Sequence, residues 1–432
     1  MRREQFTGKG WTAVALFAML AAAACIESSC ATQAPQTSKT AQSSQSAETA
    51  ASACAVPTAM AGSNEQTAWQ LFVASSCLTN GHLTWETWTE QTCFAQPDSP
   101  GCSQTANLAA AAPVRHLHAS HLARRLRRPA PRQNLLGAAP GGCSSMTTKG
   151  NAPSSLKPFV PTNLSANAQF CEEVFADPSE ASFVKAPASG ATLTNLAAQV
   201  SYAKSAAITF PTPAIEVKAD WLPATSLNNA FNCTTNQPAG VYVETIDGGC
   251  YALVGIHVSS KLLPNWLWAT FEPQNTVTNP NRCNSDLYNS CNDPWGSNPA
   301  VSTGQSTEAT AALKSLMTQA GLPKQFLNYR LVAAQSDYVD ANNKAIQLGN
   351  SFVEFNAGVL PHQASCITCH SSALVSTTGN ENPNFSNFPG TPTIGTPGKP
   401  PLPAQGGGTW VSQDFSWMLG ILPAKAPSTK KM

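Results

Sequence analysis

The sequence predicts an α+β fold class, a disulfide-rich mixed region with antiparallel strands followed by a small helical unit near the C-terminal end. Three observations carry this expectation. Fourteen cysteines run through the 432 residues, apolar and polar residues alternate over short runs in the middle of the chain, and helical spacing recurs towards both ends. With 42% apolar residues and 10 Trp the chain can bury a sizeable core, and a mean hydropathy of -0.15 excludes a multi-span membrane protein. The 25 Lys+Arg nearly cancel the 24 Asp+Glu, so charge provides no global attraction to nucleic acid.

The N-terminal end sets the compartment. Arg2, Arg3 and Lys9 precede the uncharged run from Trp11 to Ala24, which reads as a signal peptide over 1–24 and is too short to span a bilayer comfortably. The run ends in Ala22-Ala23-Ala24-Cys25, a pattern like the lipobox of bacterial lipoproteins. Lipidation of Cys25 and ordinary cleavage at one of the alanines both stay open. Either way the protein is expected to be exported to the periplasm or the outer cell surface. Residues 25–60, rich in Ser, Thr and Ala, bury too little apolar area to order themselves and read as a flexible tether.

Within 61–330, a disulfide-rich α+β region is expected. Ala68, Leu71, Phe72 and Ser75 recur at helical spacing over 66–78. Ala214 to Ala219 alternates apolar with charged residues, the period of a half-buried strand, and Val241 to Thr245 with Tyr251 to Val258 reads as a hairpin closed through Asp247-Gly248-Gly249. Trp266 to Phe271 forms a third strand whose aromatics read as sheet core. An insertion at 113–132 holds six Arg and three His, namely His116, His118 and His121, without an acidic residue. It reads as a solvated loop, with docking of an acidic redox partner as the alternative.

The strongest chemical signal is Cys366-Ile367-Thr368-Cys369-His370. The C-x-x-C-H spacing lets two thiols add to the two vinyl groups of one haem while the following imidazole ligates the iron. A thioredoxin-like pair would follow an apolar strand, whereas Pro361 to Ser365 precede this motif. A zinc site would need a second ligand pair, and no Cys or His follows His370. One covalent haem c, held by Cys366 and Cys369 with His370 as the proximal iron ligand, is therefore expected. Setting aside the two motif cysteines and Cys25 and Cys30 leaves ten, an even number for an exported chain. Their spacing suggests clips between Cys283 and Cys291, Cys233 and Cys250, and Cys93 and Cys102.

Residues 331–432 then read as a haem-binding region. Ala341 to Phe355 has helical spacing, Thr391 to Gly408 is a Pro/Gly loop, and Val411, Phe415, Met418, Leu419 and Leu422 share one face of a second helix. Helix, motif, loop and helix outline a small cytochrome c-like unit. The strings Trp85-Glu86-Thr87-Trp88, Ala214 to Lys218, Trp266 to Glu272, Asn328 to Val332, Ser365 to His370 and Asp414-Phe415-Ser416 resemble those of exported bacterial "cytochrome c family" proteins. The resemblance spans roughly residues 68–422. It implies one covalent haem and a larger non-haem region, and no particular reaction.

Three functions follow as expectations. The first is electron transfer with a redox partner protein or a small-molecule donor or acceptor. The second is a haem enzyme, such as a peroxidase or other small-molecule oxidoreductase, with an open sixth position and His257 or Glu272 as acid–base group. The third is a haem-bearing sensing or structural protein of the cell surface. The sixth iron ligand separates the first two, and Met418, His257 and His362 are its candidates beside an open site.

Overall fold

Period-two alternation in the middle of the chain builds one antiparallel sheet, and the sheet in turn carries the C-x-x-C-H segment. A computed structural model describes residues 50–95, 102, 144–145, 164–165, 168–186, 192–228, 231–274, 291–300, 307–352, 364–371, 373–376 and 410–420. All belong to the unit Gln45–Met432. The expectations on the signal segment, on Cys25, Cys30 and Cys283, on the insertion at 113–132, on His362, on the loop Thr391 to Gly408 and on Leu422 lie outside the described residues.

The strands are β1 (Thr89–Glu90), β2 (Ser144–Ser145), β3 (Gln169–Ala176), β4 (Ile215–Pro223), β5 (Val243–Ile246), β6 (Gly249–Ser260), β7 (Leu267–Pro273) and β8 (Tyr329–Gln335). Their order is β8-β7-β6-β4-β3-β1, with β2 beside β3 and β5 beside β6, and every pairing is antiparallel. The expected hairpin forms. Asp247 and Gly248, with φ of 49° and 79°, are the two central residues between the closing pair Ile246 and Gly249, the left-handed geometry that a tight Asp-Gly turn requires.

One face of the sheet is apolar. Val217, Ala219 and Trp221 of β4, Ile256 and Val258 of β6, Leu267 and Phe271 of β7 and Leu331 of β8 share a buried cluster with helix α1 (Asn64–Ser76). Ser63 caps α1 by accepting a hydrogen bond from the Gln66 amide. Phe72 of α1 meets Phe271 at 4.5 Å and Phe326 at 5.5 Å between ring centroids. Cys54 and Cys77 then tie the segment before α1 to its C-terminal end. Together with the packing of Ala53 and Met60 against the core, this clip pins the last part of the segment expected to be a tether over 25–60. Cys93–Cys102 and Cys233–Cys250 pair as the spacing suggested, and Cys171 and Cys291 are disulfide-bonded as well.

The opposite face differs from the half-buried pattern expected of β4. Glu172, Glu216, Asp220, Ser259, Thr270, Glu272 and Gln335 are all buried there, so the alternation marks two buried faces of different chemistry rather than core and solvent. Helices α2 (Pro178–Lys185) and α3 (Leu196–Ala203) and the C-terminal segments contribute to a second cluster beside this face.

Two helices expected around the motif are corrected. Residues 341–352 form no helix. The Asp340 carboxylate accepts from the Asn342 and Lys344 amides, closing a turn, and Asn350 and Ser351 bond to the sheet instead of to a helical ladder. Over its described residues, 411–420, the segment expected as a helix is split between strand β10 (Trp410–Ser412), which pairs with β9 (Leu374–Ser376), and the short helix Trp417–Gly420. Between them Asp414 and Phe415 take φ of 56° and 70°, which no helix continues. The division drawn at 330/331 falls inside β8, because the residues before the motif complete the sheet.

Candidate functional site

The motif forms a one-turn helix, Cys366–His370, too short to hold itself, and the sheet supplies its support. Gln335, at the end of β8, donates to Ser365 Oγ at 3.0 Å and accepts from the Ile367 amide at 3.3 Å, filling an N-terminal donor that Ser365 leaves unmet. Ile367 is fully buried among Trp266, Leu348, Phe415 and Met418. Cys366 and Cys369 are thiols, and both are half-buried. The Leu348 carbonyl lies 3.9 Å from Cys366 Sγ.

His370 is fixed from two sides. Its ring lies 4.3 Å from that of Trp268, centroid to centroid, and its Nδ1 lies 2.8 Å from the Phe415 carbonyl oxygen. A carbonyl only accepts, so Nδ1 carries the proton and Nε2 keeps its lone pair. Burial, aided by the Lys218 charge and opposed by the bond to Phe415, pushes the His370 pKa down to about 4, which keeps the ring neutral near pH 7.

The Phe415 carbonyl is held in place by its neighbours. Asp414 pairs with Lys261 at 2.5 Å and accepts from the Phe210 amide at 2.8 Å. Ser416 donates to Glu216 and bonds to Glu180 at 3.4 Å. These buried contacts offset two consecutive left-handed residues, each costing about 1–2 kcal/mol. Burial raises the Glu180 carboxyl well above its usual range, with the facing charge of Glu216 adding to it, and burial raises Glu216 too.

His257 lies in the middle of β6, level with Lys218 of β4 and Thr270 of β7. Trp268, on which His370 packs, lies opposite Ser259, two residues along β6. The polar neighbours of His257 have partners: Lys218 pairs with Glu172 at 2.7 Å, and Asn350 donates to Thr270 Oγ1 at 3.0 Å. Among the described residues, His257 Nε2 is buried with no hydrogen-bond partner. Burial, then the charges of Lys218 and His370, lowers its pKa well below the ordinary value. Both oxygens of Glu272 are engaged by Ser351, at 3.1 Å through the amide and 2.5 Å through the hydroxyl, which places Glu272 in a structural role.

The residues present fit a covalently held haem. Two thiols and a neutral imidazole whose lone pair is kept on Nε2 by a backbone acceptor at Nδ1 are the donor set that such a group needs. Met418 is buried with Phe415, Leu419 and Ile367. A second donor group, His82, Glu86 and Glu244, brings its ligand atoms within 4.8 Å of one another, and Glu86 also accepts from the Leu83 amide at 3.0 Å, securing the turn Thr84–Thr87.

Sequence reading misses the supporting residues Gln335, Lys261 and Glu180, whose roles depend on contacts distant in the chain. Only Asp414-Phe415-Ser416 leaves a signal, as one of the strings carrying the family resemblance. No family model matches the chain, and no curated protein or solved structure matches it.

Proposed function

We propose that the chain is an exported mono-haem c-type cytochrome that transfers electrons, with the haem joined to Cys366 and Cys369 and His370 as proximal ligand. The observation that carries this reading is the hydrogen bond between His370 Nδ1 and the Phe415 carbonyl, which fixes the tautomer and orientation that an iron-ligating histidine needs. When bound, the haem supplies a one-electron couple.

The chain's own residues do the rest. Gln335 anchors the motif helix to β8, Trp268 restricts the imidazole, and the Phe415 carbonyl holds its Nδ1 edge. In this reading the haem region is not a self-standing helical unit, since the sheet forms one wall of it. Such a site exchanges electrons with a redox partner protein or a small-molecule donor or acceptor. The disulfides support export to an oxidising compartment, with anchoring through Cys25 as part of the same proposal.

Co-expression with a c-type maturation system tests the proposal. The wild-type protein is expected to give a haem band that survives denaturing electrophoresis. Cys366→Ala combined with Cys369→Ala is expected to abolish it, and a band retained in that variant would overturn the attachment site.

A further inference from the structure

Resting on the haem reading above, we infer that His257 is the distal axial ligand, so that the iron is closed by two histidines. Three independent features of the sheet lead there.

First, the motif docks on the face that bears His257. Gln335 of β8 lies opposite Trp268 of β7, and Trp268 lies opposite Ser259 of β6. Gln335 holds the N-terminus of the motif helix and Trp268 packs on His370. The next row along the same face is Lys218, His257 and Thr270. The polar face, which the apolar core does not need, therefore presents one imidazole beside the row that supports the other.

Second, His257 Nε2 is a buried nitrogen without a hydrogen-bond partner among the described residues. Leaving such a group unmet costs about 1–3 kcal/mol, while its neighbours Lys218 and Thr270 are engaged. A buried nitrogen with an uncommitted bonding position, beside neighbours already engaged, is suited to a metal rather than to the protein.

Third, the rival methionine is committed to the apolar core. The chain turn that brings Phe415 to Nδ1 continues directly into the helix Trp417–Gly420. Met418, in that helix, is 1% exposed and belongs to the apolar cluster that also holds Phe415, Leu419 and Ile367. Its side chain is part of that packing, whereas His257 Nε2 has no hydrogen-bond partner among the described residues.

With two histidine ligands the iron would have no site for peroxide or another exogenous ligand, and electron exchange with the redox partner would be outer-sphere, without a bond forming at the metal. The test is spectroscopic and uses the full-length holoprotein. Magnetic circular dichroism and low-temperature electron paramagnetic resonance of the ferric form should show a low-spin, bis-nitrogen haem. His257→Ala should keep the covalent haem band but become high-spin and bind carbon monoxide when reduced, and added imidazole should restore the low-spin signal. Met418→Leu should leave the spectrum unchanged. A methionine signature or a high-spin haem in the wild type overturns the inference whether or not the variants fold. So does a wild-type spectrum in His257→Ala. Absence of any attached haem in the wild type instead overturns the haem reading itself.

Discussion

The carbonyl of Phe415 accepts a 2.8 Å hydrogen bond from Nδ1 of His370, across 45 residues of sequence. The residues flanking Phe415 hold that oxygen in place. Asp414 and Ser416, on either side, turn inward to Lys261 and to Glu216, while the backbone between them adopts the left-handed conformation that bulky residues avoid.

Removing one partner of the buried Lys261–Asp414 pair should therefore destabilise the fold strongly. The two side chains are only 10% and 9% exposed. Lys261→Met would leave the Asp414 carboxylate buried without its cation, a change that costs ~3–5 kcal/mol. Urea unfolding near pH 7 should show this as a large fall in the midpoint, and Lys261→Arg should recover much of it. Burial already holds the Asp414 carboxyl above its usual range, so the loss should shrink as the pH falls and Asp414 takes up a proton. A loss below about 1 kcal/mol, the range of exposed pairs, would contradict this role.

The Glu180 and Glu216 pair makes a second prediction. Both carboxyls have folded-state pKa values raised by burial, so the folded protein holds protons that the unfolded chain releases. Their contribution to stability is complete below the ordinary carboxylate pKa and is lost as the pH rises through the raised values. Glu180→Gln, neutral at every pH, should flatten that decline. Unfolding free energies measured from pH 5 to 8 decide the matter, and an unchanged slope in the variant would exclude Glu180 as its source.

Much of this architecture can be read from the chain. The Asp247-Gly248 turn and its flanking strands are local, because two residues with positive φ and adjacent alternation suffice to specify a hairpin. The same holds for α1 with its Ser63 cap and for the cysteine clips at 93–102 and 233–250. The error over 411–422 has a physical cause: Val411, Phe415, Met418 and Leu419 are apolar at helical intervals, yet the buried partners of Asp414 and Ser416 override that periodicity. Likewise, charged residues alternating along β4 look solvent-facing until a second layer covers them, and Asn350 and Ser351 belong to that layer only through contacts with Thr270 and Glu272. Periodicity cannot report which side of a polar face will be covered.

The Cys54–Cys77 disulfide makes a third prediction. It closes a separation of 23 residues around α1, and the entropy of such a loop in the unfolded chain corresponds to about 3 kcal/mol. The double substitution Cys54→Ala and Cys77→Ala should lower the calorimetric transition temperature while leaving the spectrum of any attached haem unchanged, since the clip lies at the apolar face and not at the motif. A shift in that spectrum would show that the two faces of the sheet are coupled.

Mass spectrometry of the peptide containing Cys366 to His370, released from the denatured protein after maturation in an exporting host, tests haem attachment most directly. The expected result is one peptide carrying a single haem through two thioether bonds, with no unmodified counterpart. Recovery of that peptide with two unmodified thiols, or with a disulfide joining Cys366 to Cys369, would contradict the proposed function.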